Sequence, residues 1–433
     1  GATLNFSFSE GIELSDFRLF IDSGLSELNY SLGLCLLILL AGILYILKSI
    51  YYPFQEKVIH IIVWPIILSC LISIPFAFID HRNGIDQFPL VRILIDFDNI
   101  ERTNHQISNV DYKHEEISSL IYGKPIKEKS IIATNYQEKL RSSKKNIVLF
   151  IIESVGSVQI AEDGKIKKEI TPNLYKLKDK SILFNNIYNI FPGTTRSHIP
   201  ITTGGRSMTW SSVNRELLQR FTGMTTAKFF NNHNYQTGLF SGMNLGFENL
   251  NFFYKNLGFK HVFDPDDETS DFKNKYKVHS WGVDEKIVFS KALDWMANQK
   301  KPVYMQILTN TTHHPYGVPR HFKSKLPGDT KYQRYLQALN YTDKRIGEFI
   351  STLKTSGKLK NTLIFITGDH GQAFSRRHED NWTHKNFVYE ENIRNFLLLI
   401  DASKRSEFIL ANKKGYIGDI LPTMASFITD KKL

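Results

Sequence analysis

From residue 144 to residue 433 the sequence predicts an α/β domain, a doubly wound and mostly parallel sheet flanked by helices. Three observations predict it. Apolar runs of strand length alternate with helical stretches. Several of those runs are apolar throughout rather than alternating, as a sheet covered on both faces requires. Polar residues able to do chemistry stand just past the ends of three runs, where the crevice of an open α/β sheet lies.

The strand-like runs are Asn146–Ile152, Ile182–Ile190, Gln236–Phe240, Pro302–Leu308, Thr362–Thr367 and Phe396–Ile400. Helical stretches intervene at Pro172–Lys180, Met224–His233, Val283–Gln299, Tyr332–Leu353 and Gly418–Ile428. Upstream the composition changes. Residues 1–30 are polar and rich in acids, and they begin with Gly rather than Met, which reads as a fragment or a processed chain. Ser31–Leu47 carries no charge and is just long enough to span a bilayer, for which about 20 residues are typical. Val58–Ile79 is a second such run, and its Pro65 and Pro75 are tolerable in a membrane helix. A buried helical hairpin is the alternative, but the joining loop carries Lys48 and Lys57 at its ends, which favours two transmembrane helices across 31–79. Those lysines place the loop in the cytoplasm, so residues 1–30 and everything after Asp80 are expected outside. With both ends outside, an odd number of helices is expected upstream of residue 1. Residues 80–143 read as a membrane-proximal linker.

The chain carries 54 Lys and Arg against 43 Asp and Glu, a formal charge of +11. Nucleic acid is not the expected partner, because the basic residues are scattered and no DNA- or RNA-binding motif accompanies them. An anionic membrane surface suits the charge better. Both cysteines, Cys35 and Cys70, lie in the apolar runs, so the rest of the chain has no disulfide and its redox compartment stays open.

The chemistry centres on Phe191–Pro200, FPGTTRSHIP, where a Pro-Gly turn follows an apolar run and presents Thr194 and Thr195. A hydroxyl held on a tight turn is exposed and aimed, yet at neutral pH it is a poor nucleophile without a metal or a base. Glu153 follows one strand-like run, and Asp369 and His370 follow another. With a threonine they offer three oxygens and one nitrogen. That set suits zinc or manganese better than calcium, which takes oxygen shells.

The motifs FIIES (Phe150–Ser154), TTRSHIPITTGG (Thr194–Gly205), HSWGVDEKI (His279–Ile287), TTHHPYGVP (Thr311–Pro319), TGDHGQAF (Thr367–Phe374) and YEENIRNFLLLI (Tyr389–Ile400) occur in that order. In order and approximate spacing residues 144–433 resemble the sulfatase-like branch of the alkaline phosphatase superfamily. Within it they are most similar to the membrane-anchored phosphoglycerol and phosphoethanolamine transferases, the lipoteichoic acid synthase group. The resemblance implies one divalent ion, Mn2+ or Zn2+, held by Glu153, Thr194, Asp369 and His370. It makes Thr194 the nucleophile, with Thr195 as the alternative. The family's nucleophile stands three before a Ser and ten before a Gly, and counting back from Ser197 and from Gly204 gives Thr194 both times. It further implies phosphate contacts from His313 and from a histidine after the DHG motif, His378 or else His384, with Trp281 walling the head-group site. A threonine cannot mature to the formylglycine of sulfatases, so sulfate ester cleavage is not expected. The absence of disulfides favours the phosphoglycerol group.

The resulting expectation is a cell-membrane, multi-pass transferase whose catalytic domain is extracytoplasmic. A membrane phospholipid serves as donor and a cell-envelope glycan or lipid as acceptor, through a phospho-threonine intermediate. A metal-dependent phosphodiesterase and a catalytically inactive membrane-tethered binding protein are the rival readings. The active-site mouth is expected near the outer leaflet, because a head group cannot leave the interface without drawing its acyl chains into water.

Overall fold

The computed structural model describes residues 145–205, 223–246, 250–385, 387–403 and 407–429. Among the described residues no helix is long and apolar enough to cross a membrane. The expected spans Ser31–Leu47 and Val58–Ile79, segment 1–30 and linker 80–143 all lie outside the described residues.

Eleven strands appear among the described residues, in chain order: β1 (Asn146–Ile152), β2 (Ser181–Tyr188), β3 (Gln236–Ser241), β4 (His261–Phe263), β5 (Lys277–His279), β6 (Gly282–Val283), β7 (Val303–Leu308), β8 (Thr362–Gly368), β9 (Arg394–Asp401), β10 (Ile409–Ala411) and β11 (Gly415–Tyr416). Nine form one sheet in the order β10-β2-β9-β8-β1-β7-β3-β4, with β11 also on β2. β1 runs parallel to both its neighbours, from Asn146 opposite Thr362 to Ile152 opposite Gly368 on one side, and from Ile147 opposite Tyr304 on the other. β9 is antiparallel to β2 and to β8, so the expected mostly parallel sheet contains one reversed strand. An unbroken apolar run such as Phe396–Ile400 carries no sign of its direction. β5 and β6 make a separate antiparallel pair.

Side chains alternate across β1, and both faces are buried. Ile147, Leu149 and Ile151 join one core cluster, with Phe230, Tyr254, Tyr304 and Met424. Val148, Phe150 and Ile152 join the other, with Phe289, Ala338, Phe349 and Leu353. The second face is covered by the helix Lys331–Thr355, which starts at the N-cap Thr330 in a capping box with Gln333. The residues it adds to that core cluster, Tyr335, Ala338, Leu339, Ile346, Phe349, Ile350 and Leu353, lie on one helical stripe, and Tyr341, Thr342, Asp343 and Arg345 are buried beside it. Phe150 meets Phe289 and Phe349 edge-on at centroid distances of 5.3 and 5.2 Å.

The six expected strands are all present, Asn146–Ile152 with both its ends and the others with ends moved by at most two residues; the run Ile182–Ile190 stops at Tyr188. Two expectations change. The stretch after the Pro-Gly turn is a helix, Thr194–Thr203, buried along nearly its whole length. The stretch Gly418–Ile428 divides into a 3-10 turn, Ile417–Asp419, and a short helix, Ile420–Ser426.

Candidate active site

Three elements end at one point. β1 delivers Glu153, β8 delivers Asp369 and His370, and the helix Thr194–Thr203 delivers Thr194 as its first residue. The helix begins there because Gly193 is extended and Ser197 N–H donates to the Gly193 carbonyl at 2.9 Å, closing the first turn. All four residues are buried.

The hydrogen bonds leave specific atoms facing inward. Asp369 Oδ1 accepts from the Ser154 and His370 backbone N–H groups, both at 2.7 Å. Glu153 Oε1 accepts from Ser154 Oγ at 2.8 Å and from Thr194 Oγ1 at 3.4 Å. Glu153 Oε2 and Asp369 Oδ2 have no hydrogen-bond partner among the described residues. His370 Nδ1 lies 3.1 Å from the Gly371 carbonyl, so it carries the proton and donates, leaving the lone pair on Nε2. That Nε2 is 3.4 Å from Thr194 Oγ1, 3.3 Å from Asp369 Oδ2 and 3.9 Å from Glu153 Oε1.

Two buried carboxylates facing each other are costly. Burial, and then repulsion from Asp369, push the Glu153 carboxyl up to about 7. Burial pushes Asp369 to about 7 as well. Orphaned buried carboxylate oxygens beside an imidazole lone pair are what a divalent cation would satisfy, so these residues fit one.

The bracing around the centre is backbone-rich. Asn189, just past β2, donates from Nδ2 to Ser197 Oγ at 2.7 Å and to the Asp369 carbonyl, joining the threonine helix to the aspartate. Asn395 on β9 supports it, donating to Asn189 Oδ1 at 3.3 Å and to the Gly368 carbonyl at 2.7 Å. Gly368 and Gly371 flank the ligand pair where a Cβ would fall 1.6 Å from the Val155 carbonyl oxygen and 2.0 Å from that of Glu391. No other residue fits either place.

The remaining expected residues divide. His313 follows β7, its ring lies 4.6 Å from that of Trp281, and it is close enough to Glu153 to feel that carboxyl's charge. Its Nδ1 donates to the His314 carbonyl at 2.7 Å, and burial lowers its basicity. Thr195 is also buried, and the Thr194 hydroxyl stands 3.4 Å from both Glu153 Oε1 and His370 Nε2. His384 stacks on His370 at 4.1 Å, its Nδ1 held by Gln372 Oε1 at 2.9 Å. His378 is not brought to the centre: it is exposed and stacks on Tyr389 at 3.8 Å. The loop after the DHG motif folds back through Asn381, whose N–H donates to the His378 carbonyl, and this carries His384 rather than His378 inward.

Three contributors were missed in the sequence. His198 stands one helical turn after Thr194, so both project from the same face. A ring nitrogen of His198 and carboxylate oxygens of Glu153 and Asp369 all lie within 4.8 Å of one another. Its Nδ1 is 2.9 Å from Tyr254 Oη, which accepts from Gln306 Nε2 at 3.2 Å, and Gln306 Oε1 accepts from Tyr304 Oη at 3.0 Å. Tyr254 accepts from Gln306 and keeps its own proton to give; donated to Nδ1, it sets the His198 proton on Nε2. Glu285 is the third; its Oε1 accepts from the Asn310 and Thr311 N–H groups at 3.2 and 3.0 Å and from Thr342 Oγ1 at 3.0 Å, fixing the loop that carries His313. In the sequence Glu285 looks like an ordinary acid in a helix's first turn. His198 had a possible signal, its spacing of four from Thr194.

The sulfatase family model matches residues 145–428. A lipoteichoic acid synthase of Staphylococcus aureus is 26% identical over 238 residues, 53% of this chain and 36% of that protein. The match thus spans about a third of the length of that relative. Among solved structures, the lipoteichoic acid synthase LtaP from Listeria monocytogenes superposes with a TM-score of 0.57 at 19% identity, covering 74% of this chain and 79% of that one. A protein of the alkaline phosphatase superfamily from Vibrio parahaemolyticus gives 0.53 at 21% identity, over 67% and 68%.

Proposed function

We propose that this chain, which belongs to the sulfatase family, is a metal-dependent transferase that moves a phospholipid head group, phosphoglycerol or phosphoethanolamine, to a cell-envelope glycan or lipid. One observation carries the reading: Thr194 Oγ1 stands 3.4 Å from both Glu153 Oε1 and His370 Nε2, a buried hydroxyl among metal-type donors. Glu153, Thr194, Asp369 and His370 would hold one Mn2+ or Zn2+, which when bound lowers the pKa of the threonine hydroxyl and offsets charge on the phosphoryl oxygens. Similarity to lipoteichoic acid synthases supports a lipid donor.

Thr194 Oγ1 attacks phosphorus, and the bond from phosphorus to the diacylglycerol oxygen breaks. The proton lost by Thr194 is matched by the one the departing alcohol gains. In the second half an acceptor hydroxyl attacks the phospho-threonine, and Thr194 takes back its proton as the acceptor gives one up. His313 is suited to the acceptor step: its Nδ1–H is committed to the His314 carbonyl, so the neutral ring presents an Nε2 lone pair. His198, held with its proton on Nε2, is suited to donate to a phosphoryl oxygen. His384 backs the His370 ring and fixes its plane.

The test is a head-group-labelled phospholipid incubated with the full chain, with and without glycan or lipid acceptors. Label on Thr194 that chases into an acceptor supports the reading, and release to water alone in every case makes the protein a phosphodiesterase. A chain binding no stoichiometric metal and releasing no label is the inactive binding protein.

A further inference from the structure

Six large apolar side chains are exposed among the described residues, and four of them gather on two segments beside the candidate centre. Trp382 is 47% exposed, Val388 61% and Tyr389 38%, all on the loop that brings His384 onto His370. Ile190, 42% exposed, stands just before the Pro-Gly turn that leads into Thr194. The two segments are tied together: Tyr188 Oη donates to Glu390 at 2.9 Å, and Asn189 N–H donates to the Ile393 carbonyl at 2.9 Å. Phe387 adds to the patch, its ring stacked on Tyr389 at 5.1 Å.

Exposed apolar side chains scattered singly need no explanation, but four on the rim of one site mark an interaction surface. Their chemistry points to the occupant. Trp and Tyr favour the boundary between water and acyl chains, where an amphipathic ring sits at head-group depth. Arg376, Arg377 and Lys385 lie on the same loop and suit lipid phosphates, although Glu379 and Asp380 offset two of those charges and Arg377 also pairs with Glu162. The apolar and aromatic groups therefore supply most of the attraction. The same chain carries two long uncharged apolar runs, Ser31–Leu47 and Val58–Ile79, so a bilayer is the apolar phase it meets.

We propose that Ile190, Trp382, Val388 and Tyr389 form a rim that seats the active-site mouth in the head-group layer of a bilayer. The inference deepens the lipid-donor reading, since a rim at that depth lets a head group enter while its acyl chains stay in the membrane. A transferase acting on a soluble donor would have no use for it.

The experiment uses the full chain with Cys35→Ser and Cys70→Ser, reconstituted in phosphatidylglycerol and phosphatidylcholine vesicles. Val388→Cys carries an environment-sensitive fluorophore. Lys354→Cys is the control, exposed at the end of the helix Lys331–Thr355, which leads back to the start of β8 and hence to the edge of the sheet away from the site. Nitroxide-headgroup lipids should quench the fluorophore at 388 at least threefold more strongly than at 354, with blue-shifted emission at 388. Equal quenching at the two positions overturns the proposal. A blue shift at 388 without quenching, growing with protein density in the vesicle, overturns it in favour of contact between two copies of the chain. The readout does not involve catalysis, so absent head-group transfer with strong quenching would refute only the function, and transfer with no quenching only the rim.

Discussion

Removing metal while raising the pH should destabilise this protein, and by an amount the two facing carboxylates set. In the metal-free chain Glu153 is raised from 4.5 to about 7, and Asp369 from 3.8 to about 7, chiefly by burial. A group whose folded pKa lies above its unfolded one stabilises the fold in full below the unfolded value, and that contribution is lost as pH rises through the folded one. Between pH 4 and pH 7 the unfolded chain releases these protons while the folded chain keeps them. Each pKa unit is worth about 1.4 kcal/mol, so a rise of two to three units corresponds to roughly 3 kcal/mol for one of the pair. Because the two carboxylates share one environment, their contributions do not add in full. For a domain of this size about 3 kcal/mol corresponds to a melting-temperature fall on the order of 5–10 °C. Other acids raised by burial, Asp264 to about 7 and Asp343 to about 6, contribute in the same direction, so the metal-free curve alone is not diagnostic. The quantity to measure is the gap between metal-loaded and chelated protein, by differential scanning fluorimetry from pH 5 to 8.5. Bound cation replaces the protons, so the gap should widen as pH rises toward 8, and Glu153→Gln should flatten it. A gap that stays constant or narrows with rising pH would refute the assignment of these carboxylates to a cation.

Thr194→Ala should remove turnover by at least a thousandfold with an unchanged circular dichroism spectrum, while Thr195→Ala keeps activity within tenfold; label trapped on the wild-type threonine checks it. His384→Ala should lower activity by ten- to a hundredfold, because it loses the ring stacked on His370, whereas His378→Ala should stay within twofold in the same assay. Tyr254→Phe removes the hydroxyl that donates to His198 Nδ1, and losing about 1 kcal/mol of orientation should lower kcat five- to tenfold with KM unchanged. Phe150→Ala should cost about 3–5 kcal/mol of stability, read as a lowered denaturation midpoint, because its ring fills the contact between β1 and two helices.

The legible part of this protein is the part written in long apolar runs. β1, β7 and β8 are such runs with polar residues at their ends, so the positions of Glu153, Asp369 and His370 followed from the strands themselves. The helix Thr194–Thr203 did not show because Pro200 sits inside it and β-branched residues fill it, both unfavourable to helices in isolation. Burial of nearly the whole segment overrides those preferences. β4, β10 and β11 are two or three residues long, too short to display any period. The choice between His378 and His384 depended on how a loop folds back through Asn381, and loop geometry leaves little trace in spacing. His198 escaped because its role depends on Tyr254, distant in sequence and on another helix.

Gly368 and Gly371 hold the Asp369–His370 pair between two stretches of main chain that come too close for any side chain. The placement of those donors therefore depends on close main-chain contact, with the Asn189 and Asn395 side chains bracing it. Trp281, whose ring lies 4.6 Å from that of His313, takes no part in that main-chain clamp. A lineage built on this frame is free to vary the side chains around the site while the donors stay in register. Its failures should concentrate instead at the two glycines, where no neighbouring change can compensate.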